Sequence, residues 1–217
     1  MKINLLGSFP PCDRSKLIGT RTEANRKKAR KFDKEFFDGK RMNGYGGYIY
    51  DGRWLDVFRR MRDRYTLGDY QAVLDVGCGK GFLLHDIYSL TRGKINVAGI
   101  DISSYAINNG MGVVKPFMVI GSCENLPYAD NTFDCVTSFN AIHNLNKRGV
   151  KKAIKEMIRV CKKPKNMFIQ VDAYENNEQK KRMKSFNLTA KTILSTKEWK
   201  AIFKEVGYKG DYYWTTV

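Results

Sequence analysis

Long apolar runs are missing from this sequence. Nowhere do the roughly 18 consecutive apolar residues of a membrane-spanning helix occur. The N-terminal stretch MKINLLGSFPPCDRSK is broken by Pro10-Pro11 before a signal core could form. Histidine is scarce, at two residues, and the five cysteines (Cys12, Cys78, Cys123, Cys135, Cys161) include no Cys-x-x-Cys pair. An odd, dispersed set of thiols argues against a disulfide framework or a zinc ribbon and fits a reducing, cytoplasmic setting, with no metal site expected. Acidic residues are short as well: 22 Asp and Glu stand against 39 Lys and Arg, a formal charge of +17. Such a field favours anionic partners, whether phosphorylated small molecules, nucleic acid or an anionic membrane surface, and says nothing about fold. What is present is globular: 217 residues, 42% hydrophobic and 28% charged, enough for one core plus an extension.

From Thr22 to Asp38 the chain is highly basic, yet Ala29, Phe32, Phe36 and Phe37 recur at helical spacing, which predicts an amphipathic helix with a cationic outer face. Arg41 to Arg53 holds four glycines and three tyrosines, a composition unsuited to a regular helix and too aromatic for a solvated linker. Trp54, Val57, Phe58 and Met61 then mark one face of a further helix. After Gly68 the pattern changes to short apolar runs alternating with helices. The expected strands are Ala72–Val76, Ile95–Ile100, Phe117–Ile120, Phe133–Ser138 and Met167–Val171, with a last one at 211–217. Helices are expected at Phe82–Leu90, along the periodic Val150, Ala153, Ile154, Met157, Ile158 and Cys161, and after the capping box that begins at Ser195. Alternating strands and helices give an α/β fold: an open, mostly parallel sheet flanked by helices, whose ligands sit beyond the carboxyl ends of the strands. Residues 1–66 are read as a basic helical extension ending in an aromatic, glycine-rich lid, and 67–217 as the ligand-binding domain.

The loop after the first strand reads Val73-Leu-Asp75-Val-Gly77-Cys-Gly79-Lys-Gly81-Phe82. Alternate glycines let bare backbone approach a ligand, and the loop feeds a helix N-terminus that attracts negative charge. A dinucleotide fingerprint needs G-x-G-x-x-G, but position 82 is Phe. Asp75, aimed at the loop, would repel a pyrophosphate and could hold an ammonium group.

Here the sequence resembles the class I, Rossmann-like S-adenosylmethionine-dependent methyltransferases, over roughly residues 70–172. The resemblance implies S-adenosylmethionine as cofactor and S-adenosylhomocysteine as product. It also implies binding roles for Asp75, Gly77, Gly79 and Gly81. Asp101 would hold the ribose hydroxyls, Ile102 the adenine face, and Ser122, Cys123 and Glu124 the adenine-side loop, although the family often has Asp where Ser122 stands. Asn140 would meet the methionine part. A single strand-like segment follows the last helix, where many members have a hairpin of two.

Among candidates for chemistry, His143 follows the fourth strand, where an imidazole could act as base or orienting group. His85 reads as structural. Cys78 and Cys135 read as structural thiols, and the Asn/Asp-Pro-Pro-Tyr loop that holds a flipped base is absent. Tyr45, Tyr48, Tyr50 and Arg53 supply the lid with hydroxyls and an anion clamp, with Tyr174 on the facing wall. The expected activity is methyl transfer to an oxygen or nitrogen of a small, anionic metabolite bearing phosphate, sugar or carboxylate. The alternatives are ribose or cap methylation of RNA and a non-catalytic nucleoside-binding module.

Overall fold

Strand β1 (Ala72–Val76), buried at four of its five residues, lies in the interior of the sheet. β2 (Asn96–Asp101) lies on one side and β4 (Cys135–Phe139) on the other. β3 (Met118–Ile120) extends the sheet beyond β2, and β5 (Met167–Tyr174) extends it beyond β4. β7 (Asp211–Thr215) runs along β5, and the two-residue β6 (Leu194–Ser195) pairs with its last residues. Every pairing in this seven-stranded sheet is parallel. The computed structural model describes residues 1–7, 9 and 17–216, so Cys12 and Val217 lie outside the described residues.

Expected strand boundaries shift for local reasons. Phe133 makes only an isolated bridge to Cys161, so β4 begins at Cys135. Phe117 closes a 3-10 turn, Lys115–Phe117, built on Pro116, which leaves β3 three residues. β5 runs three residues past the expected Val171, with β6 pairing at its end.

The sheet's residues alternate between two cores. On one face Leu74, Val136, Ile169 and Val171 pack with Ile154 and Met157 of α6 (Lys147–Val160) and Trp199 and Phe203 of α8 (Thr196–Glu205). On the other, Val73, Cys135 and Phe168 pack with Phe58 and Met61 of α3 (Trp54–Tyr65) and Leu83 and Ile87 of α4 (Phe82–Thr91). Helix α3 thus shares one core with β1 and α4, across the boundary expected at residue 66. The capping box at Ser195 and Glu198 starts α8 as the sequence predicts.

The long helix expected over 22–38 is broken. Helix α1 (Glu23–Ala29) ends before Phe32, which adopts φ +51, and Asp33 then caps a single turn, α2 (Lys34–Phe37). The break turns Phe36 and Phe37 onto Tyr45, and Phe37 also meets Tyr48.

Candidate donor site at the carboxyl edge of the sheet

The glycine loop leaves β1 with Gly77, Gly79 and Gly81 at φ +82, +56 and +75, conformations that a side chain disfavours. Crowding adds to the constraint at Gly77, where a Cβ would stand 2.1 Å from the Cβ of Ala141. Asp101, the last residue of β2, fixes the loop from the side. One of its carboxylate oxygens accepts the Gly79 N–H and the other the Ser103 N–H, both at 2.8 Å. Burial pushes the Asp101 carboxyl above its ordinary range, and these N–H groups partly offset that. Asp75 is more deeply set. Among the described residues its carboxylate accepts from the Thr137 hydroxyl at 3.0 Å. Burial above all, with the Asp101 charge added, pushes Asp75 up to about 7 against the Thr137 bond.

Beyond Asp101 the side chain of Ile102 is 59% exposed, an apolar surface beside a ribose-compatible carboxylate. Gly121 donates its N–H to the Asp101 carbonyl and starts the next loop. There the Ser122 hydroxyl accepts from the Glu124 N–H. Burial pushes the Cys123 thiol up to about 12, which keeps it protonated. The Glu124 carboxylate lies against the first turn of α6, 2.8 Å from where a Cβ on Gly149 would stand.

The N-terminal segment reaches across this edge. At one end the Arg21 guanidinium donates to the Phe186 carbonyl, and that of Arg26 to the Ser185 and Asn187 carbonyls, at the end of α7 (Asn177–Phe186). At the other, the Phe32 carbonyl accepts from the Ser103 hydroxyl. Asp38 accepts from Lys80 Nζ, from the Tyr105 hydroxyl on α5 (Ser104–Asn108), and from the Tyr48 N–H. The Tyr48 ring stacks on Phe82 with centroids 4.6 Å apart, and a Cβ on Gly79 would lie 3.2 Å from it. Burial first, then the charges of Tyr45, Asp75 and Asp101, keep the Tyr48 phenol protonated.

Of the other residues expected in an acceptor pocket, Tyr45 joins Tyr48 with centroids 4.5 Å apart. Tyr50 turns to α4 and donates to Asp86 while its ring meets His85 edge-on. Arg53 pairs with Asp51 and lies over the Phe9 ring. The Tyr174 hydroxyl donates to Glu198 at the start of α8. Asn140, at φ +53 after β4, accepts from the Thr215 hydroxyl and donates its N–H to the Gln170 carbonyl. His143 is 3% exposed, and its Nδ1 accepts the Asp172 N–H at 3.1 Å. A ring that accepts at Nδ1 carries its proton on Nε2 when neutral. Sequence reasoning missed Asp38 and Lys80. The available signal was a lysine between two glycines, since a cation held that close to the backbone needs an acid.

A bare, left-handed backbone, a side-on carboxylate, an exposed apolar face and a second buried carboxylate fit the parts of S-adenosylmethionine. Comparison with known proteins agrees. A family described as methyltransferase domain matches residues 73–164. The mouse arginine-hydroxylase NDUFAF5 is 32% identical over 117 residues, 52% of this chain and 33% of that protein. The ubiquinone/menaquinone biosynthesis C-methyltransferase UbiE of Geotalea uraniireducens is 33% identical over 119 residues, 52% of this chain and 48% of that protein. The chain therefore spans a third to a half of the length of these curated relatives. The crystal structure of YcgJ from Bacillus subtilis superposes with a TM-score of 0.57 at 19% identity, covering 72% of this chain and 68% of that one. No helix among the described residues is long and apolar enough to cross a membrane. Residues 73–164 thus match a methyltransferase domain, set in an open, parallel α/β sheet of the Rossmann-like kind.

Proposed function

We propose that the protein transfers a methyl group from S-adenosylmethionine to an oxygen or nitrogen of a small, anionic acceptor bearing phosphate, sugar or carboxylate. The donor supplies a sulfonium methyl group open to in-line displacement. Asp101 and the Gly77–Gly81 backbone would hold it, and Asp75 would neutralise its ammonium group. The observation that favours a small acceptor is the N-terminal segment, tied to α7 at Arg21 and Arg26 and to the glycine loop at Asp38. A cover anchored at both ends excludes water from the reaction and leaves little room for a bulky acceptor. His143, with Nδ1 occupied by the Asp172 N–H, is suited to orient the acceptor by donating from Nε2 rather than to remove a proton. The net charge of +17 would draw anionic substrates toward the site, an attraction weakened by salt.

The test has two arms. Calorimetry should show binding of S-adenosylmethionine and S-adenosylhomocysteine but not NAD, with Asp101→Ala weaker by about 1.5–3 kcal/mol, the scale of a charge-assisted hydrogen bond. Incubating the protein with methyl-labelled donor and fractionated metabolites should place label in an anionic small-molecule fraction. Absence of donor binding would end the reading. Label found in carbon-methylated products, as the name of UbiE suggests for that relative, would replace the acceptor class alone.

A further inference from the structure

We infer that the outer surface of α6 and α8 docks the phosphodiester backbone of a nucleic acid. Between residues 147 and 165 the sequence carries nine Lys or Arg and a single acid, Glu156. On α6 the apolar positions Val150, Ala153, Ile154 and Met157 are fully buried, which turns the opposite arc to solvent. Lys147, Arg148, Lys152 and Lys155 stand exposed on that arc. None of the four forms an ion pair within 4.0 Å of an acid among the described residues, whereas Lys151 pairs with Glu205 and Arg159 with Glu156 and Asp130. The Lys151–Glu205 pair joins α6 to α8, and Lys197, Lys200 and Lys204 continue the exposed cations there. Lys147 and Lys155 also help lower the Glu205 carboxyl, after its hydrogen bond from Lys151, so the two helices share one field.

The chemistry of this face selects among anionic partners. Every exposed large hydrophobic side chain of the described residues lies outside α6, α7 and α8. A membrane-surface helix needs apolar side chains to bury among the lipids, and a protein interface needs an apolar or aromatic centre. A nucleic acid backbone needs neither, because release of its condensed counterions by lysine and arginine supplies the binding free energy. The surface also adjoins the donor edge. Helix α6 follows the β4 loop directly, and α8 begins at β6, which pairs with the last residues of β5.

The test is fluorescence anisotropy of the full chain with a labelled RNA duplex and a DNA duplex of the same sequence, beside sedimentation with phosphatidylserine-containing vesicles. Both duplexes should bind, with log K falling linearly against log salt. The triple variant Arg148→Gln, Lys152→Gln, Lys155→Gln should weaken binding about tenfold and reduce the salt slope by about 3, one per lost phosphate contact. A control variant, Lys27→Gln, Lys28→Gln, Lys31→Gln, removes the same charge from the N-terminal segment and should stay within about twofold of the parent. Equal losses in the two triples would assign binding to net charge and overturn the inference, as would no duplex binding at low salt. Vesicle binding without duplex binding would give the face to lipid and overturn it too. Binding of one duplex alone supports it and identifies the nucleic acid. Donor calorimetry on the α6 triple should match the parent, which keeps this result separate from the proposed methyl transfer.

Discussion

Asp38 takes the ammonium group of Lys80 on both carboxylate oxygens, at 2.8 and 2.7 Å, and so ties the N-terminal segment to the residue between Gly79 and Gly81. The pair is largely shielded, with 11% of the Lys80 side chain and 26% of the Asp38 side chain exposed. Removing Asp38 leaves the largely buried Lys80 charge without its acid, so Asp38→Asn should destabilise the protein by about 1–3 kcal/mol. Burial pushes the Asp38 carboxyl up, but the bonds from Lys80, Tyr105 and the Tyr48 N–H outweigh it and leave the group below its ordinary value. A depressed folded value means this contribution is present above the unfolded carboxylate range and lost as pH falls through the folded value. The stability difference between the parent and Asp38→Asn in urea titrations should therefore shrink below about pH 4. A difference unchanged down to pH 3 would remove the ion pair from the explanation.

Asp75 behaves in the opposite sense. Its folded value, pushed up to about 7 by burial, lies above the unfolded one, so the folded state binds the extra proton between them. Stability from this group is thus lost as pH rises from about 4 toward 7. Asp75→Asn should raise the melting temperature of the ligand-free protein at pH 8 and abolish donor binding. In the parent, donor affinity should rise between pH 6 and 8, with a proton released on binding that calorimetry in buffers of different ionisation enthalpy would register. PH-independent affinity would place Asp75 outside the donor site.

The sheet and the glycine loop were legible because their physics is local in sequence. Strand β1 is an apolar run broken only by Asp75, and alternate glycines announce left-handed backbone. Asp101 could be placed because it ends a strand beside that loop. The N-terminal segment was harder to read. Phe32, Phe36 and Phe37 keep helical spacing, yet Asp33 caps a new turn and Phe32 leaves the helix, driven by contacts with Ser103 and Tyr105 some seventy residues on. Tyr50 and Arg53 carry the right chemistry for an acceptor clamp, but Asp86 and Asp51 are their partners, and residue type alone does not reveal such pairings. The Asp38–Lys80 pair has no sequence periodicity at all, since 42 residues separate its members.

Two glycines with similar backbone angles should respond differently to alanine. Gly207 follows α8 at φ +74 with nothing within 4 Å of its missing Cβ, so Gly207→Ala should cost about 1 kcal/mol from backbone conformation alone. Gly77, at φ +82, adds the 2.1 Å clash with Ala141, and overpacking contributes about 1–3 kcal/mol more. Chemical denaturation should rank Gly77→Ala well below Gly207→Ala. Only Gly77→Ala should also lose donor binding. Equal stability of the two would mean that Ala141 moves aside without penalty.

His143 offers the sharpest separation of structure from chemistry. Its Nδ1 accepts the Asp172 N–H, while its own carbonyl accepts the Thr192 N–H, so one residue joins the loop after β4 to β5 and to the approach to β6. His143→Ala would leave the buried Asp172 N–H without an acceptor, a loss of about 1–3 kcal/mol in stability. Asn can restore an acceptor at that position but has no titratable ring. If His143 serves the fold alone, through Nδ1, His143→Asn should recover both stability and the turnover of an identified acceptor, with a flat rate profile from pH 6 to 9. A general base would instead leave His143→Asn slower by about 10²–10⁴ with its stability restored. Measuring both variants for melting and for turnover decides between these roles, because only a part for the ring in the reaction predicts that the two readouts part company.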